Sequence, residues 1–86
     1  MDAEKIDSLL KEKLSDSLST ETYKTWIEPI TVEHVRQRNV ILSVPNAFFR
    51  DWVMENYGEG IKIVLTELMG SEVTIEYQER KETEQK

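Results

Sequence analysis

Few residues in this sequence have side chains that could perform covalent or acid–base chemistry. There is one histidine, His34, and there is no cysteine. His34 falls in a predicted strand beside a second predicted strand that carries Ser43, and a histidine next to a hydroxyl can activate it as a nucleophile. Two polar side chains on adjacent strands are, however, typical of an exposed cross-strand pair. We therefore predict no catalytic residue, and a small hydrolase that depends on His34 is kept as an alternative.

The remaining patterns that could hold a metal or cofactor are incomplete. Without cysteine a thiolate zinc site is impossible, and a single histidine cannot supply a histidine pair. Gly58 and Gly60 have part of the spacing of a dinucleotide-binding loop, but they follow a predicted helix and Ile63 occupies the position expected for the third glycine. Glu72 and Glu76 share the solvent-facing row of a predicted strand. We expect no metal, no cofactor and no enzymatic activity in this chain.

Composition narrows the class of protein further. The chain has 86 residues, with 17 acidic and 11 basic side chains and a net charge of −6, which is enough for one small domain. It lacks the run of ~20 apolar residues that a membrane span needs. An acidic protein is a poor general ligand for nucleic acid, because that binding depends on Lys and Arg. The absence of cysteine fits a reducing, cytoplasmic location.

Helices are predicted in three regions. Leucine and isoleucine recur every fourth residue in 2–17, which is the spacing of an amphipathic helix. Ser19 and Thr20 are typical N-cap residues for a short helix from Glu21 to Ile27, which Pro29 ends.

Asn46 caps a third helical region, where Gly58 and Gly60 predict a break or two consecutive helices and Gly70 is the expected C-cap. The side chains predicted for the core of these helices include Trp26, Phe49, Trp52, Val53 and Tyr57.

Three strands are predicted from alternating apolar residues. Residues 30–35 and 40–44 form a hairpin whose turn spans 36–39, with Asn39 suited to a left-handed conformation. Residues 73–77 form the third strand. Residues 78–86 contain no apolar side chain, so they are expected to be a disordered linker that follows a domain of residues 1–77. The order α-α-β-β-α(α)-β predicts an α+β fold in which helices cover a three-stranded sheet.

Two segments of the chain are similar to a known family. Residues 22–30 (TYKTWIEPI) resemble the segment x-F/Y-x-x-W-I-x-P-L of the N-terminal domain of the bacterial replication initiator DnaA. Residues 44–57 (VPNAFFRDWVMENY) resemble its segment A-P-N-x-F-x-x-D-W-V-x-x-x-Y. The order and spacing of the two segments also fit, and the resemblance extends over about residues 4–77.

The resemblance implies a K-homology-like fold and a role in protein contact. In the family this domain precedes a linker, an ATPase module and a DNA-binding module, so ATP hydrolysis and origin recognition are expected to belong to those later parts. The domain itself is expected to recruit the replicative helicase of the DnaB type, to bind regulatory proteins, and to aid self-association of initiator protomers. The implied function is therefore a non-catalytic interaction module of DNA replication initiation.

The resemblance also assigns roles to exposed positions. Phe48 lies off the buried stripe of the third helix and corresponds to the family's helicase-binding surface, with Asp51 beside it. The start of the second helix forms the other part of that surface. Family members often have an acid at the position of Thr22, whereas here the acid is Glu21.

The first helix departs from the family at the position linked to self-association. Many relatives have a tryptophan where this chain has Asp7, next to Ile6. A carboxylate cannot replace an aromatic anchor without a desolvation cost. Self-association through Ile6 and Asp7 is therefore expected to be weak, and the isolated domain is expected to be mostly monomeric.

A weak single-stranded DNA-binding module is the alternative function. Arg36, Arg38 and Arg50, with His34 nearby, could form a basic patch that contacts a DNA backbone in a salt-sensitive way. The phosphate-binding loop of K-homology domains is not expected here, because Gly58-Glu59-Gly60 places an acid at its centre. A solvated hairpin turn is the simpler explanation of these arginines, and we favour it.

Overall fold

Helices pack on a three-stranded sheet in the computed structural model, which describes residues 2–80. The elements, in chain order, are α1 (Ala3–Ser17), α2 (Thr20–Thr22), a π-helix (Tyr23–Ile27), β1 (Thr31–Arg36), β2 (Asn39–Val44), α3 (Ala47–Met69) and β3 (Thr74–Glu79). This order confirms the predicted α+β class and its three-stranded sheet. Within the described residues, no helix is both long and apolar enough to cross a membrane.

The sheet has β2 at its centre. β1 pairs with β2 in antiparallel fashion, as the predicted hairpin requires, and β3 pairs with β2 in parallel. A bulge between Val32 and His34 shifts the register, so that His34 lies opposite Ile41. A parallel pair needs a long crossover between its strands, and α3 provides it.

The core lies between the helices and the inner side of the sheet. α1 contributes residues from its every-fourth stripe, α3 contributes two pairs spaced by one turn, and the strands contribute mainly valines. The buried apolar residues are Ile6, Leu10, Leu14, Ile27, Ile30, Val32, Val40, Leu42, Val44, Phe49, Val53, Ile61, Leu65 and Val73. Full burial of one such side chain favours folding by roughly 1.5–3 kcal/mol, so these stripes fix how the helices sit on the sheet.

α3 is one continuous helix, so the predicted break at Gly58 and Gly60 is wrong. Two glycines in a helix cost only about 1 kcal/mol each relative to alanine. Val53 on one side of them and Ile61 on the other are both fully buried, and this burial outweighs that cost. The predicted C-cap is confirmed: Gly70 has φ +80° in the left-handed region.

The N-caps are also confirmed, but the second helix differs in type. The Ser19 side chain accepts a hydrogen bond from the Thr22 amide at 3.2 Å. From Tyr23 to Ile27 the helix is a π-helix, and the Glu28 amide donates to the Tyr23 carbonyl at 2.9 Å. The wider turn still buries Ile27, as the amphipathic pattern predicts.

The hairpin turn and the end of β3 correct two local predictions. Gln37, and not Asn39, has the left-handed backbone (φ +52°), because β2 already begins at Asn39. β3 continues through Glu79, and the Arg80 amide donates to the Val44 carbonyl at 2.8 Å. Backbone pairing with β2 thus extends the strand beyond its last apolar residue. The rest of the predicted linker, residues 81–86, lies outside the described residues.

We expect Gly60→Ala to stabilise the domain. A Cβ at Gly60 would meet no atom within 4 Å, and alanine is the better helix former by about 1 kcal/mol. Urea denaturation should show a free energy of unfolding raised by about that amount. Gly70→Ala is the contrasting variant, because its left-handed backbone disfavours a side chain and should lower stability by about 1 kcal/mol. Equal effects of the two variants would contradict this account of α3.

The Tyr77 hydroxyl should make stability depend on pH in alkali. Its oxygen is buried and has no hydrogen-bond partner within residues 2–80, and burial raises the pKa of Tyr77 to about 12 from 10.0. The folded state therefore retains this proton more tightly than the unfolded state. The resulting stability is fully present below pH 10 and is lost as the pH rises toward 12.

Tyr77→Phe tests this assignment. Urea denaturation from pH 7 to 12 measures the free energy of unfolding of the variant and of the parent. The part of the alkaline loss of stability that Tyr77 causes should be absent from the variant. At pH 7 it should be as stable as the parent or more so, because no hydrogen bond is lost. A marked loss of stability at pH 7 would show that the hydroxyl has a partner.

Candidate protein-interaction surface

The start of α3 holds Phe48 in a fixed, exposed position. The Asn46 side chain accepts a hydrogen bond from the Phe49 amide at 2.8 Å and caps the helix. Phe49 is buried, whereas Phe48 points outward with 75% of its surface exposed. The capped turn therefore presents an aromatic ring to solvent, as the sequence predicts.

An aromatic cluster joins the π-helix to α3 beneath this position. The Trp26 ring centroid lies 5.2 Å from that of Phe49 and 4.9 Å from that of Trp52. Trp52 in turn stacks on Tyr57 at 6.1 Å. The prediction that all of these rings belong to the core is only partly right, because Trp26, Trp52 and Tyr57 are half-buried. Trp52 packs mainly on other aromatic rings and so adds an apolar area to the surface.

Polar side chains surround the predicted surface. Glu21 is exposed at the start of the helix that leads into Trp26. The Thr22 hydroxyl accepts a hydrogen bond from Ser19 Oγ at 2.9 Å, so part of its bonding capacity is already used. Asp51, one turn after Phe48, is exposed and its Oδ1 lies 3.2 Å from Arg50 Nε. The contact between Trp26 and Trp52 links the helices that carry these predicted residues.

Two further exposed apolar residues on α3 were missed by the sequence interpretation. Met54 is 50% exposed and Ile63 is 54% exposed. The period of α3 places Ile63 away from Ile61 and Leu65, and this could have been read from the sequence. Met54 follows the buried Val53 directly, and only the packing of β3 against α3 decides how much of it is covered.

The residues predicted for self-association have structural roles instead. Ile6 is fully buried, so it cannot meet a partner in this fold. The Val32 amide donates to Asp7 Oδ1 at 3.0 Å, and Lys11 Nζ lies 3.3 Å from Asp7 Oδ2. Ile6 therefore belongs to the core and is not an exposed interface residue, and Asp7 fastens α1 to β1. The expected weak self-association through α1 stays a prediction.

The predicted arginine patch is not assembled. Arg36 and Arg38 are exposed at the hairpin turn, next to the start of β3. Arg50 Nη1 lies 2.6 Å from Glu79 Oε2, at the other end of β3. The two ends of β3 are five residue steps apart, which corresponds to ~17 Å. The grouping of Arg50 with Arg36 and Arg38 is therefore wrong.

The predicted pair of His34 and Ser43 is not formed either. Ser43 lies opposite Thr31, and His34 lies opposite Ile41 because of the bulge. Ser43 is buried, its hydroxyl donates to Glu33 Oε2 at 3.0 Å and it accepts from Arg80 Nε at 3.3 Å. Ser43 is thus a buried residue that bonds to the exposed side chains of Glu33 and Arg80, and it is not part of an exposed cross-strand pair. Within residues 2–80, no three His, Cys, Asp or Glu side chains are grouped so that they could hold a metal ion.

The fold and the capped aromatic surface define a small α+β domain whose distinctive exposed feature is apolar. The sequence profile described as "DnaA N-terminal domain" matches residues 8–67. The chain therefore belongs to the DnaA N-terminal domain family. This finding confirms the resemblance of its two motifs.

Curated relatives of the chain are chromosomal replication initiator proteins DnaA. The protein of Francisella philomiragia is 39% identical over 72 residues, which cover 81% of this chain. The protein of Geotalea daltonii is 36% identical over 75 residues and covers 87% of it. The matched regions make up 14% and 16% of those two relatives. The chain thus spans about one sixth of the length of the relatives it matches.

A solved structure has the same fold. It is the crystal structure of a HobA-DnaA (domain I-II) complex from Helicobacter pylori. The TM-score is 0.75 with 14% sequence identity, and the match covers 88% of this chain and 98% of the other. At this identity the likeness establishes the fold.

We expect Asp7→Ala to destabilise the domain by about 1–3 kcal/mol, because the Val32 amide would be left partly buried without an acceptor. Thermal or urea unfolding measures this loss. Asp7→Asn keeps an acceptor oxygen and should retain most of the stability. Lys11→Met removes only the ion pair, which is worth at most about 1 kcal/mol at a surface. If Lys11→Met proved as damaging as Asp7→Ala, the ion pair would be the main contribution of Asp7.

Proposed function

We propose that this domain is a protein-interaction module of a bacterial replication initiator that recruits the replicative helicase and regulatory proteins. The observation that carries the proposal is Phe48, a large apolar side chain that is 75% exposed on a rigid, capped helix start. Aromatic side chains are enriched in protein interfaces and among the residues that anchor them. Membership of the DnaA N-terminal domain family supports the setting.

The surroundings of Phe48 support a protein partner. Trp52 and Trp26 add half-buried aromatic area next to it, and Glu21 and Asp51 provide exposed acidic groups. An apolar centre with a charged rim is the usual arrangement of a protein interface. The net charge of −6 would favour a partner with basic groups around an apolar pocket. The structural neighbour is itself a complex of a DnaA domain with another protein, HobA.

The mechanism we propose is recruitment without bond chemistry or a cofactor, in the cytoplasm. One small surface gives modest affinity. Several initiators assembled side by side on DNA would present several such domains together, and effective concentration would then strengthen the contact. Self-association through α1 would contribute little, because Ile6 and Asp7 are occupied within the fold.

The single-stranded DNA alternative is less well supported. Its proposed patch retains only Arg36 and Arg38, since Arg50 is paired with Glu79 at the far end of β3. Gly58-Glu59-Gly60 lies within α3, so its amides are not free to hold a phosphate. Two exposed arginines on an acidic domain are a weak basis for binding a polyanion.

Phe48→Ala should weaken binding of the helicase N-terminal region roughly thirtyfold, as expected for loss of an interface anchor worth about 2 kcal/mol. Titration of the isotope-labelled domain, followed by amide shifts, measures the dissociation constant and maps the surface. We expect the shifts to centre on the starts of α2 and α3.

Ile63→Ala is the matched control for this experiment. It removes a similar apolar side chain, 54% exposed, from the same helix, and it should leave the affinity unchanged. If Phe48→Ala and the parent bind equally, or if the parent gives no shifts at all, the proposed surface is wrong.

A further inference from the structure

The two edge strands of the sheet differ in whether their outward backbone groups are hydrogen-bonded within the fold. At the β1 edge, α1 packs against the strand, and the Val32 amide donates to Asp7 Oδ1 at 3.0 Å. A side chain therefore satisfies a backbone donor that β2 does not reach. The β3 edge has a different arrangement, which follows from its pairing with β2.

Hydrogen bonds at the two ends of β3 show which of its backbone groups face outward. The Thr74 amide donates to the Arg38 carbonyl, and the Arg80 amide donates to the Val44 carbonyl. In a parallel pair alternate residues bond to the same neighbour. The even-numbered residues therefore bond to β2, and the N–H and C=O groups of Ile75, Tyr77 and Glu79 point away from it. Within residues 2–80, no side chain accepts a hydrogen bond from these three amides.

A groove lies beside this open edge, between α3 and β3. It has a volume of about 930 Å³ and its lining includes Met54, Gly58 and Lys62 from α3 and Ile75 and Tyr77 from β3. Gly58 contributes no side chain to the wall, and Met54 is half-exposed. The buried Tyr77 hydroxyl, which lacks a partner within the described residues, lies close to Gly58. The groove is of mixed character. Met54, Val73, Ile75 and Tyr77 supply its apolar surface, and its charged lining residues are Arg38, Glu59, Lys62 and Glu72.

We propose that the β3 edge and this groove bind an extended segment of a partner protein in which apolar and basic residues alternate. Only a strand matches a row of outward N–H and C=O groups, and adding a strand to a sheet edge is a recurring mode of peptide recognition. Three outward-facing residues accommodate a segment of about five residues. Its apolar side chains would enter the groove beside Ile75 and Tyr77, because alternate side chains of a strand share one face.

Charge on the edge selects the basic character of the partner and disfavours two other occupants. Glu76 on β3 and Glu59 at the groove are exposed, and neither has an ion-pair partner among residues 2–80. The groove is also lined by Arg38 and by Lys62, which is paired with Glu72, so unpaired acids outnumber unpaired bases at this edge in the described part of the chain. A second copy of this chain would set one acidic β3 against another, and each copy carries a net charge of −6. Nucleic acid would face the same acids.

A synthetic peptide, acetyl-Lys-Val-Lys-Val-Lys-Val-Lys-amide, tests the proposal with the whole chain. Titration into the isotope-labelled protein should shift the amides of Ile75, Tyr77 and Glu79 and protect them from hydrogen exchange. Replacing every lysine of the peptide by glutamate should abolish binding. N-methylation of the peptide amides that bond to β3 removes those hydrogen bonds and should weaken binding about tenfold. Loss on methylating the valines indicates an antiparallel segment, and loss on methylating the lysines indicates a parallel one.

Two glycine variants provide a matched pair for the groove. Gly58→Leu places a side chain in the groove and should weaken binding about tenfold. Gly60→Leu adds the same side chain to the same helix where a Cβ meets no atom within 4 Å, and it should leave the affinity unchanged. Phe48→Ala should also leave it unchanged, so this result is independent of the proposed helicase surface.

Several results would overturn the proposal. The proposal is wrong if millimolar peptide causes no amide shifts, or if the shifts centre on Phe48. It is also wrong if both N-methylated peptides bind as well as the parent peptide, or if the two glycine variants have equal effects. A shift of the β3 amides with protein concentration, in the absence of peptide, would assign the edge to a second copy of the chain instead.

Discussion

The parallel pairing of β3 with β2 is the constraint on which the rest of this domain depends. It requires the chain to return from the end of β2 to the beginning of the next strand, and α3 makes that return in 23 residues, or ~34 Å of helix. Because α3 must also cover the core, its buried residues extend on both sides of Gly58 and Gly60. The same helix therefore sets the core, the exposed start at Phe48 and one wall of the groove beside β3.

Asp7 shows how one residue type can change the use of a whole element. In a helix that packs on an edge strand, a carboxylate at this position can reach the strand backbone, and here it accepts from Val32. The bond between Asp7 and Val32 uses this position for a contact inside the domain and not for a contact with a second copy of it. It also makes the two sheet edges structurally different, because α1 packs against β1 and Asp7 accepts from one of its outward amides, while the β3 edge keeps its outward groups.

Local features of the fold were predictable from the sequence because they depend on neighbouring residues. The stripe of α1, the caps at Ser19, Asn46 and Gly70, and the alternation of β2 all follow from spacing or from a side chain that bonds within its own turn. The exposure of Phe48 follows from the same helical period. Gly58 and Gly60 predict a break because helix propensity is a local quantity. The burial of Val53 and Ile61, which overrides that propensity, depends on distant parts of the chain.

The sequence by itself therefore determined the elements, their order, the family and the exposed aromatic at the start of α3. Tertiary structure decided the parallel direction of β3, the half-exposure of Trp52, the bond from Asp7 to Val32 across 25 residues of chain, and the separation of Arg50 from Arg36 and Arg38. Each of these depends on where distant segments meet in space. Spacing along a single chain contains no direct record of such meetings, because they are fixed only when apolar faces from several elements are buried together.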